Sequence, residues 1–83
     1  MGKREKLIEK ILQGNSDANI KFEDLRKLLI SFGFDERIKG SHHVYRKGGI
    51  IEKPNLQKDG KMAKKYQVKQ IREILQKYNM GEF

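Results

Sequence analysis

Three stretches of the chain place apolar residues three or four positions apart, which is the spacing of one face of an α-helix. They cover residues 3–13, 22–32 and 66–78. Polar, turn-forming residues end the first stretch, and Gly33 supplies a left-handed C-cap for the second. The pattern therefore predicts three helices.

Between the second and third helices the pattern is typical of strands. Residues 34–39 and 42–47 are short segments joined around Gly40 and Ser41, which indicates a hairpin. A third strand is predicted at residues 50–53. We predict a tight turn at Gly48 and Gly49 before this strand, the end of the strand at Pro54, and a loop at residues 55–64 after it.

The predicted order is helix, helix, three antiparallel strands and helix. Helices on one face of a three-stranded antiparallel sheet make an α+β two-layer sandwich. This is the layout of a double-stranded-RNA-binding fold, with one additional helix in front. We expect a single domain over residues 1–83, with the additional helix at residues 3–14 and the core at residues 21–79. Layout alone does not establish function.

Length and composition narrow the classes of protein. The chain has 83 residues, of which 36% are apolar and 36% charged, so it fits one small domain with a thin core. It has no cysteine, which excludes disulfides, a cysteine-ligated zinc site and a thiol nucleophile. No apolar run approaches the roughly 20 residues of a membrane span, and no signal peptide is recognisable. We expect a cytoplasmic protein with no membrane partner and no cofactor.

The net charge of +8 lies entirely in the second half of the chain. Residues 1–36 are balanced, whereas residues 37–83 carry twelve basic residues against four acidic ones. Concentrated positive charge is typical of proteins that bind polyanions. A basic surface that only keeps the protein soluble is the alternative. Charge by itself does not distinguish RNA, DNA and an acidic protein as the partner.

The two histidines are neighbours, His42 and His43, directly after Gly40 and Ser41. Successive residues of a strand point to opposite faces, so the two rings should not converge on one atom or on a metal ion. The ordinary interpretation is one half-buried strand histidine and one surface histidine. The functional interpretation is proton transfer, because histidine accepts and donates protons near neutral pH.

Cations around the hairpin favour the functional interpretation. Lys39, Arg46 and Lys47 bracket the histidines. A proton-transferring group among phosphate-binding cations is what cleavage of a phosphodiester by its own 2′-hydroxyl requires, and such a site works without metal.

The third helix adds a basic stripe. Lys65, Lys69 and Arg72 recur at steps of four and three, and Lys61 and Lys64 extend the stripe into the preceding loop. This stripe could meet a nucleic-acid backbone while the apolar face packs on the sheet. An ordinary charged helix face is the alternative.

Two tyrosines, Tyr45 and Tyr66, could stack on bases. Tyrosines in small domains more often belong to the core or to the surface of a sheet, so this alternative stays open for both.

The run Lys39-Gly40-Ser41-His42-His43-Val44-Tyr45-Arg46 closely resembles the HicA toxins of bacterial and archaeal HicA–HicB toxin–antitoxin systems. The resemblance extends over nearly the whole chain, from the helix at residues 22–32 to the C-terminal basic helix. Residues 55–57, 63–64 and 66–72 resemble a longer subgroup that carries an added N-terminal helix. Lys65 stands where the family pattern has proline.

The resemblance implies a double-stranded-RNA-binding-like fold and a metal-independent endoribonuclease that cuts mRNA. It also implies a HicB-type antitoxin that covers the active site, with DNA contacted only indirectly through the antitoxin complex. The family's catalytic histidine follows the Gly-Ser pair, which corresponds to His42 and not to His43.

The leading hypothesis is therefore a ribonuclease toxin in which His42 is the general base or acid. Lys39 and Arg46 would hold the phosphate, and the helix stripe would bind the backbone without reading sequence. The alternatives are a non-catalytic RNA-binding module and a basic domain that binds an acidic protein. Besides the catalytic His42, the candidate RNA-binding residues are Lys39, Gly40, Ser41, Arg46, Lys64, Lys65, Lys69 and Arg72.

Overall fold

A computed structural model describes residues 2–81 and has an α+β fold. Residues 1, 82 and 83 of the expected domain lie outside the described residues. The elements, in chain order, are α1 (Lys3–Gln13), a 3-10 turn (Asp17–Asn19), α2 (Phe22–Ser31), β1 (Asp35–Lys39), β2 (His42–Arg46), β3 (Asn55–Leu56), β4 (Lys58–Asp59), β5 (Met62–Ala63) and α3 (Lys65–Lys77).

The three predicted helices are confirmed, with ends that differ by at most one residue. The end of α2 shows why the sequence locates it well. Gly33 has a φ of +96°, its N–H donates to the carbonyl of Ile30, and the N–H of Phe34 donates to the carbonyl of Leu29. This is the Schellman arrangement, which needs a residue that tolerates a left-handed backbone and thus favours glycine.

Strands β1, β2 and β3 form an antiparallel sheet in that order. The predicted hairpin is confirmed: Asp35 lies opposite Arg46 and Lys39 opposite His42 across a two-residue turn. Gly40 takes a φ of +57° in that turn, as turns of this length require. The register places Lys39 on the same face of the sheet as His42.

The predicted third strand at residues 50–53 is wrong. These residues form a loop, and the strand that pairs with β2 is Asn55–Leu56, directly after Pro54. The apolar pair Ile50 and Ile51 was misleading, because Ile51 is 82% exposed whereas Leu56 is fully buried. The apolar residue that this part of the chain contributes to the core is therefore Leu56, which follows Pro54.

The predicted loop at residues 55–64 is also incorrect. Besides β3, it contains a small hairpin in which β4 pairs with β5. Gly60, with a φ of +63°, lies in the turn of this hairpin, and the carbonyl of Lys61 accepts a hydrogen bond from the N–H of Phe22. The hairpin thus connects the start of α2 with the segment that leads into α3.

All three helices bury their apolar faces in one core. From the sheet, Tyr45 and Leu56 join this core and are fully buried. Helix α1, the additional N-terminal helix, contributes Ile8 and Ile11, so it adds apolar area to a small domain. Within residues 2–81, no helix is both long and apolar enough to cross a membrane.

Candidate functional site

The two histidines of β2 lie on opposite faces of the sheet, as alternation along a strand predicts. His43 faces α2, where its ring meets the ring of Phe22 edge-on at a centroid distance of 4.9 Å. Its Nδ1 is 3.3 Å from Oε2 of Glu36, and 15% of its side chain is exposed. His42 is exposed on the outward face. His43 is thus a structural residue, and His42 is the histidine that a ligand can reach.

A polar cluster fixes the inward face of the hairpin. Glu36 accepts two hydrogen bonds from the guanidinium of Arg26, at 2.6 and 2.8 Å, and one from the hydroxyl of Tyr45 at 2.5 Å. The bond from Arg26 is the main reason why the pKa of Glu36 falls to about 2. Burial raises the pKa of Tyr45. Tyr45 is fully buried, so it belongs to the core. The alternative that it stacks on bases is wrong.

On the outward face, His42 lines a shallow cleft of about 230 Å³ between the β2–β3 strands and the first two turns of α3. We call it the His42 cleft. Carboxamides dominate its lining, together with one lysine and one tyrosine. The lining residues are His42, Lys53, Asn55, Gln57, Tyr66, Gln67 and Gln70.

Asn55 orients the ring of His42. Oδ1 of Asn55 lies 3.2 Å from Nδ1 of His42. An amide oxygen can only accept a hydrogen bond, so this assignment places the imidazole hydrogen on Nδ1 and leaves the lone pair of Nε2 free. A neutral imidazole in this tautomer accepts a proton at Nε2. Asn55 was not among the residues that the sequence singled out.

Gln67 holds Asn55 in place. Its Nε2 donates to the backbone carbonyl of Asn55 at 3.2 Å, and its Oε1 accepts from the N–H of Lys64 at 3.4 Å. Gln67 is 1% exposed, and an unpaired amide in such a position would be costly. The first turn of α3 is thereby tied to the strand that carries Asn55.

Gln57 links two of the predicted RNA-binding residues. Its Nε2 donates to Oγ of Ser41 at 3.1 Å, and its Oε1 accepts from Nζ of Lys64 at 3.4 Å. The structure thus brings Ser41 and Lys64 to the rim of the His42 cleft. Lys39 is near as well, since cross-strand partners have Cβ atoms about 4.5–5.5 Å apart. Arg37, two residues earlier, shares this exposed face and was missed.

Arg46 lies outside the His42 cleft. This contradicts the expectation that Arg46, together with Lys39, holds the phosphate at His42. It is four residues along β2 from His42, a distance of about 13 Å between Cα atoms at the usual strand rise. It lines a second cleft of about 290 Å³ with Lys47 and Lys53. Lys53 lines both clefts, so the two are adjacent.

Arg72 leaves the predicted basic stripe. Its guanidinium donates to both carboxylate oxygens of Asp17, at 2.9 and 3.2 Å, and to the carbonyl of Ile11 at 3.2 Å. The hydrogen bond to Asp17 is the main cause of the raised pKa of Arg72. Arg72 thus ties α3 to α1 rather than facing a ligand. Lys65 and Lys69 remain exposed on α3.

The imidazole of His42 can accept a proton, and the other lining residues of the cleft can hydrogen-bond to a polar ligand. In the part of the chain that the structure describes, no three histidine, aspartate or glutamate side chains gather in a way that could hold a metal ion. The lining offers both donors and acceptors, with Lys53 in the lining and further cations at the rim. This composition suits a ligand that has both hydrogen-bonding edges and negative charge.

No protein-family model, curated protein or solved structure matches the chain. A functional proposal therefore rests on the geometry of the fold and of the His42 cleft, together with the sequence resemblance.

Proposed function

We propose that the chain is an RNA-binding domain that cleaves single-stranded RNA without a metal ion. More particularly, we propose a HicA-type toxin that cleaves mRNA. The observation that carries this proposal is the state of His42: its Nδ1 faces the Asn55 oxygen at 3.2 Å, and its exposed side chain lines a polar cleft. A histidine held in one tautomer beside cations is suited to act as a general base.

In the proposed reaction, Nε2 of His42 accepts the proton of a 2′-hydroxyl. The 2′-oxygen attacks the adjacent phosphorus and the bond to the 5′-oxygen breaks, which leaves a 2′,3′-cyclic phosphate and a 5′-hydroxyl end. Lys39, opposite His42 in the sheet, stabilises the negative charge that develops on the phosphate oxygens. The leaving oxygen takes a proton from water in the open cleft, and His42 returns its proton to solvent.

Asn55 contributes through His42. By accepting the hydrogen of Nδ1, it keeps the ring from rotating and stabilises the imidazolium that forms during proton transfer. Gln67 acts one step further away, since it holds the backbone of Asn55.

The cations near α3 supply the affinity for RNA. Lys65 and Lys69 are exposed on α3, and half-buried Lys64 directly precedes it. The Gly40–Ser41 turn is open, because a side chain added at Gly40 would meet no atom within 4 Å other than those of its chain neighbours. A phosphate backbone could therefore approach the turn closely. Arg46, with Lys47 and Lys53, would contact a neighbouring phosphate rather than the one at His42.

The element order supports the same class. A helix, a three-stranded antiparallel meander and a further helix agree with the double-stranded-RNA-binding-like layout implied by the HicA resemblance. On this proposal the protein is cytoplasmic, a HicB-type antitoxin presents carboxylates to the basic half and covers the hairpin, and DNA is contacted only through that complex.

A non-catalytic RNA-binding module is the second candidate. It is favoured by the lining of the His42 cleft, in which His42 is accompanied by carboxamides, Tyr66 and Lys53 but by no carboxylate. A binding domain needs cations and hydrogen-bonding groups but no second proton-transfer group.

The two candidates are separated by His42→Ala. Wild-type protein, His42→Ala and the matched control Gln76→Ala, which changes an exposed residue near the other end of α3, would be incubated with a labelled single-stranded RNA. We expect His42→Ala to lose cleavage by 100-fold or more, in the range of general-base effects (about 10²–10⁴-fold), while RNA affinity stays within about threefold. Equal cleavage by His42→Ala, or none by the wild type, would reject the catalytic proposal.

A further inference from the structure

The α3 wall of the His42 cleft has two side chains that the proposed chemistry does not use. Tyr66 is 63% exposed, so its aromatic ring is accessible to a ligand. Gln70 follows it by four residues, so both side chains project from the same side of the helix. Both line the cleft that contains His42.

The other carboxamides of the cleft are already engaged. Both polar atoms of Gln67 and of Gln57 have partners, and the oxygen of Asn55 faces His42. Among residues 2–81, by contrast, no group hydrogen-bonds to the carboxamide of Gln70, which is half-buried and lines the cleft. Gln70 therefore presents a free donor and a free acceptor next to an exposed aromatic ring.

From this pair we infer a nucleobase subsite that binds adenine, formed by Tyr66 as a stacking surface and Gln70 as the group that reads the base edge. The inference deepens the proposed function and rests on RNA being the ligand. Aromatic side chains stack on unpaired bases in single-stranded RNA. A glutamine carboxamide matches adenine, because it accepts from the N6 amino group and donates to N7.

Size and charge agree with a single base at this position. At about 230 Å³, the cleft is smaller than the roughly 300–1,000 Å³ that drug-sized ligands occupy. Phosphates are bound preferentially by lysine and arginine; of these residues, Lys53 lines the cleft and the others lie at the rim. The neutral wall of Tyr66 and Gln70 is thus left for the base that adjoins the phosphate at His42.

The subsite can be tested by binding alone. His42→Ala protein, which on the proposed mechanism leaves RNA intact, would be titrated with four short fluorescent RNAs that differ only in one base type, A, C, G or U. In this background we expect tightest binding of the adenine RNA. Tyr66→Ala should weaken it by about 5-fold to 150-fold, which is the range for loss of one stacked base. Tyr66→Phe should stay within about threefold, since it retains the ring.

Gln70 has its own pair of variants. Gln70→Ala should remove the preference for adenine, and Gln70→Glu should shift it towards cytosine, because a carboxylate accepts from the N4 amino group of cytosine. Gln76→Ala, at an exposed position of the same helix, should leave the four affinities in their original order. Thermal unfolding of each variant would verify that the substitutions change binding rather than folding.

Equal affinity for all four RNAs, or unchanged adenine affinity in folded Tyr66→Ala, would overturn the inference, as would a protein that binds no RNA. These readouts do not depend on cleavage. An adenine preference without cleavage would support the subsite and reject the ribonuclease, whereas cleavage without base preference would reject the subsite alone.

Discussion

Replacing Glu36 by glutamine tests how the hairpin that carries His42 is held against α2. The carboxylate is 11% exposed and accepts hydrogen bonds from Arg26, Tyr45 and His43. Its pKa of about 2, against an ordinary 4.5, means that the folded state favours the charged form. Glu36→Gln keeps the shape of the side chain but removes the charge.

The shift sets the magnitude. A pKa difference of one unit corresponds to about 1.4 kcal/mol, so a fall from 4.5 to about 2 corresponds to roughly 3 kcal/mol of stability at neutral pH. Because Arg26 is partly exposed, solvent screening lowers the expected loss to about 2–3 kcal/mol. In a domain of this size that loss lowers Tm by roughly 10–20 °C.

The sign of the pH dependence follows from the lowered pKa. Glu36 stabilises the fold fully above the pKa of the unfolded state, near 4.5, and this stability is lost as pH falls towards about 2. Chemical unfolding followed by circular dichroism at pH 7, 5, 4 and 3 would measure the effect. We expect a steep loss in the wild type and a flatter profile in Glu36→Gln.

Glu9→Gln is the matched control, since Glu9 is exposed on α1 and should change stability by less than about 0.5 kcal/mol. A Glu36→Gln protein as stable as the wild type at pH 7, with the same pH profile, would refute the role given to this cluster.

Three further predictions concern Arg72, Lys69 and Asn55. Arg72→Gln should lower the free energy of unfolding by about 2 kcal/mol, since it leaves Asp17 without its partner, but should change RNA affinity by less than twofold. Denaturant unfolding and a binding titration would measure the two effects. A large loss of affinity in the folded variant would contradict the structural role of Arg72. Lys69→Gln should reduce the slope of log affinity against log salt by about 0.7, as expected for one lost phosphate contact with single-stranded RNA; an unchanged slope would remove Lys69 from the interface. Asn55→Ala should redistribute the imidazole hydrogen of His42 between its two ring nitrogens, because the acceptor at Nδ1 is lost. The ¹⁵N chemical shifts of the ring would measure this change. Shifts equal to those of the wild type would show that Asn55 does not orient the ring.

Local signals explain what the sequence predicted well. The helices follow from apolar spacing, and the end of α2 from Gly33. The opposite orientations of His42 and His43 follow from alternation along a strand, and the two-residue turn at Gly40 and Ser41 fixes the register that places Lys39 beside His42.

The errors arise where long-range contacts decide. Strand β3 has two residues, which are too few to show a periodic pattern. The third strand was therefore predicted at the more apolar residues 50–53. Arg72 resembled a free cation because its partner Asp17 lies 55 residues away in sequence. The carboxamides of the His42 cleft come from β3, the segment after it and α3, and their convergence depends on how α3 docks at the edge of the sheet.

The ends of the RNA fragments formed by the wild-type protein in excess EDTA test the central claim most directly. We predict fragments with 2′,3′-cyclic phosphate and 5′-hydroxyl ends, formed at an undiminished rate when divalent metals are removed, and formed at least 100-fold more slowly by His42→Ala. Cleavage that stops with EDTA, fragments with 5′-phosphate ends, or intact RNA with the wild-type protein would contradict it.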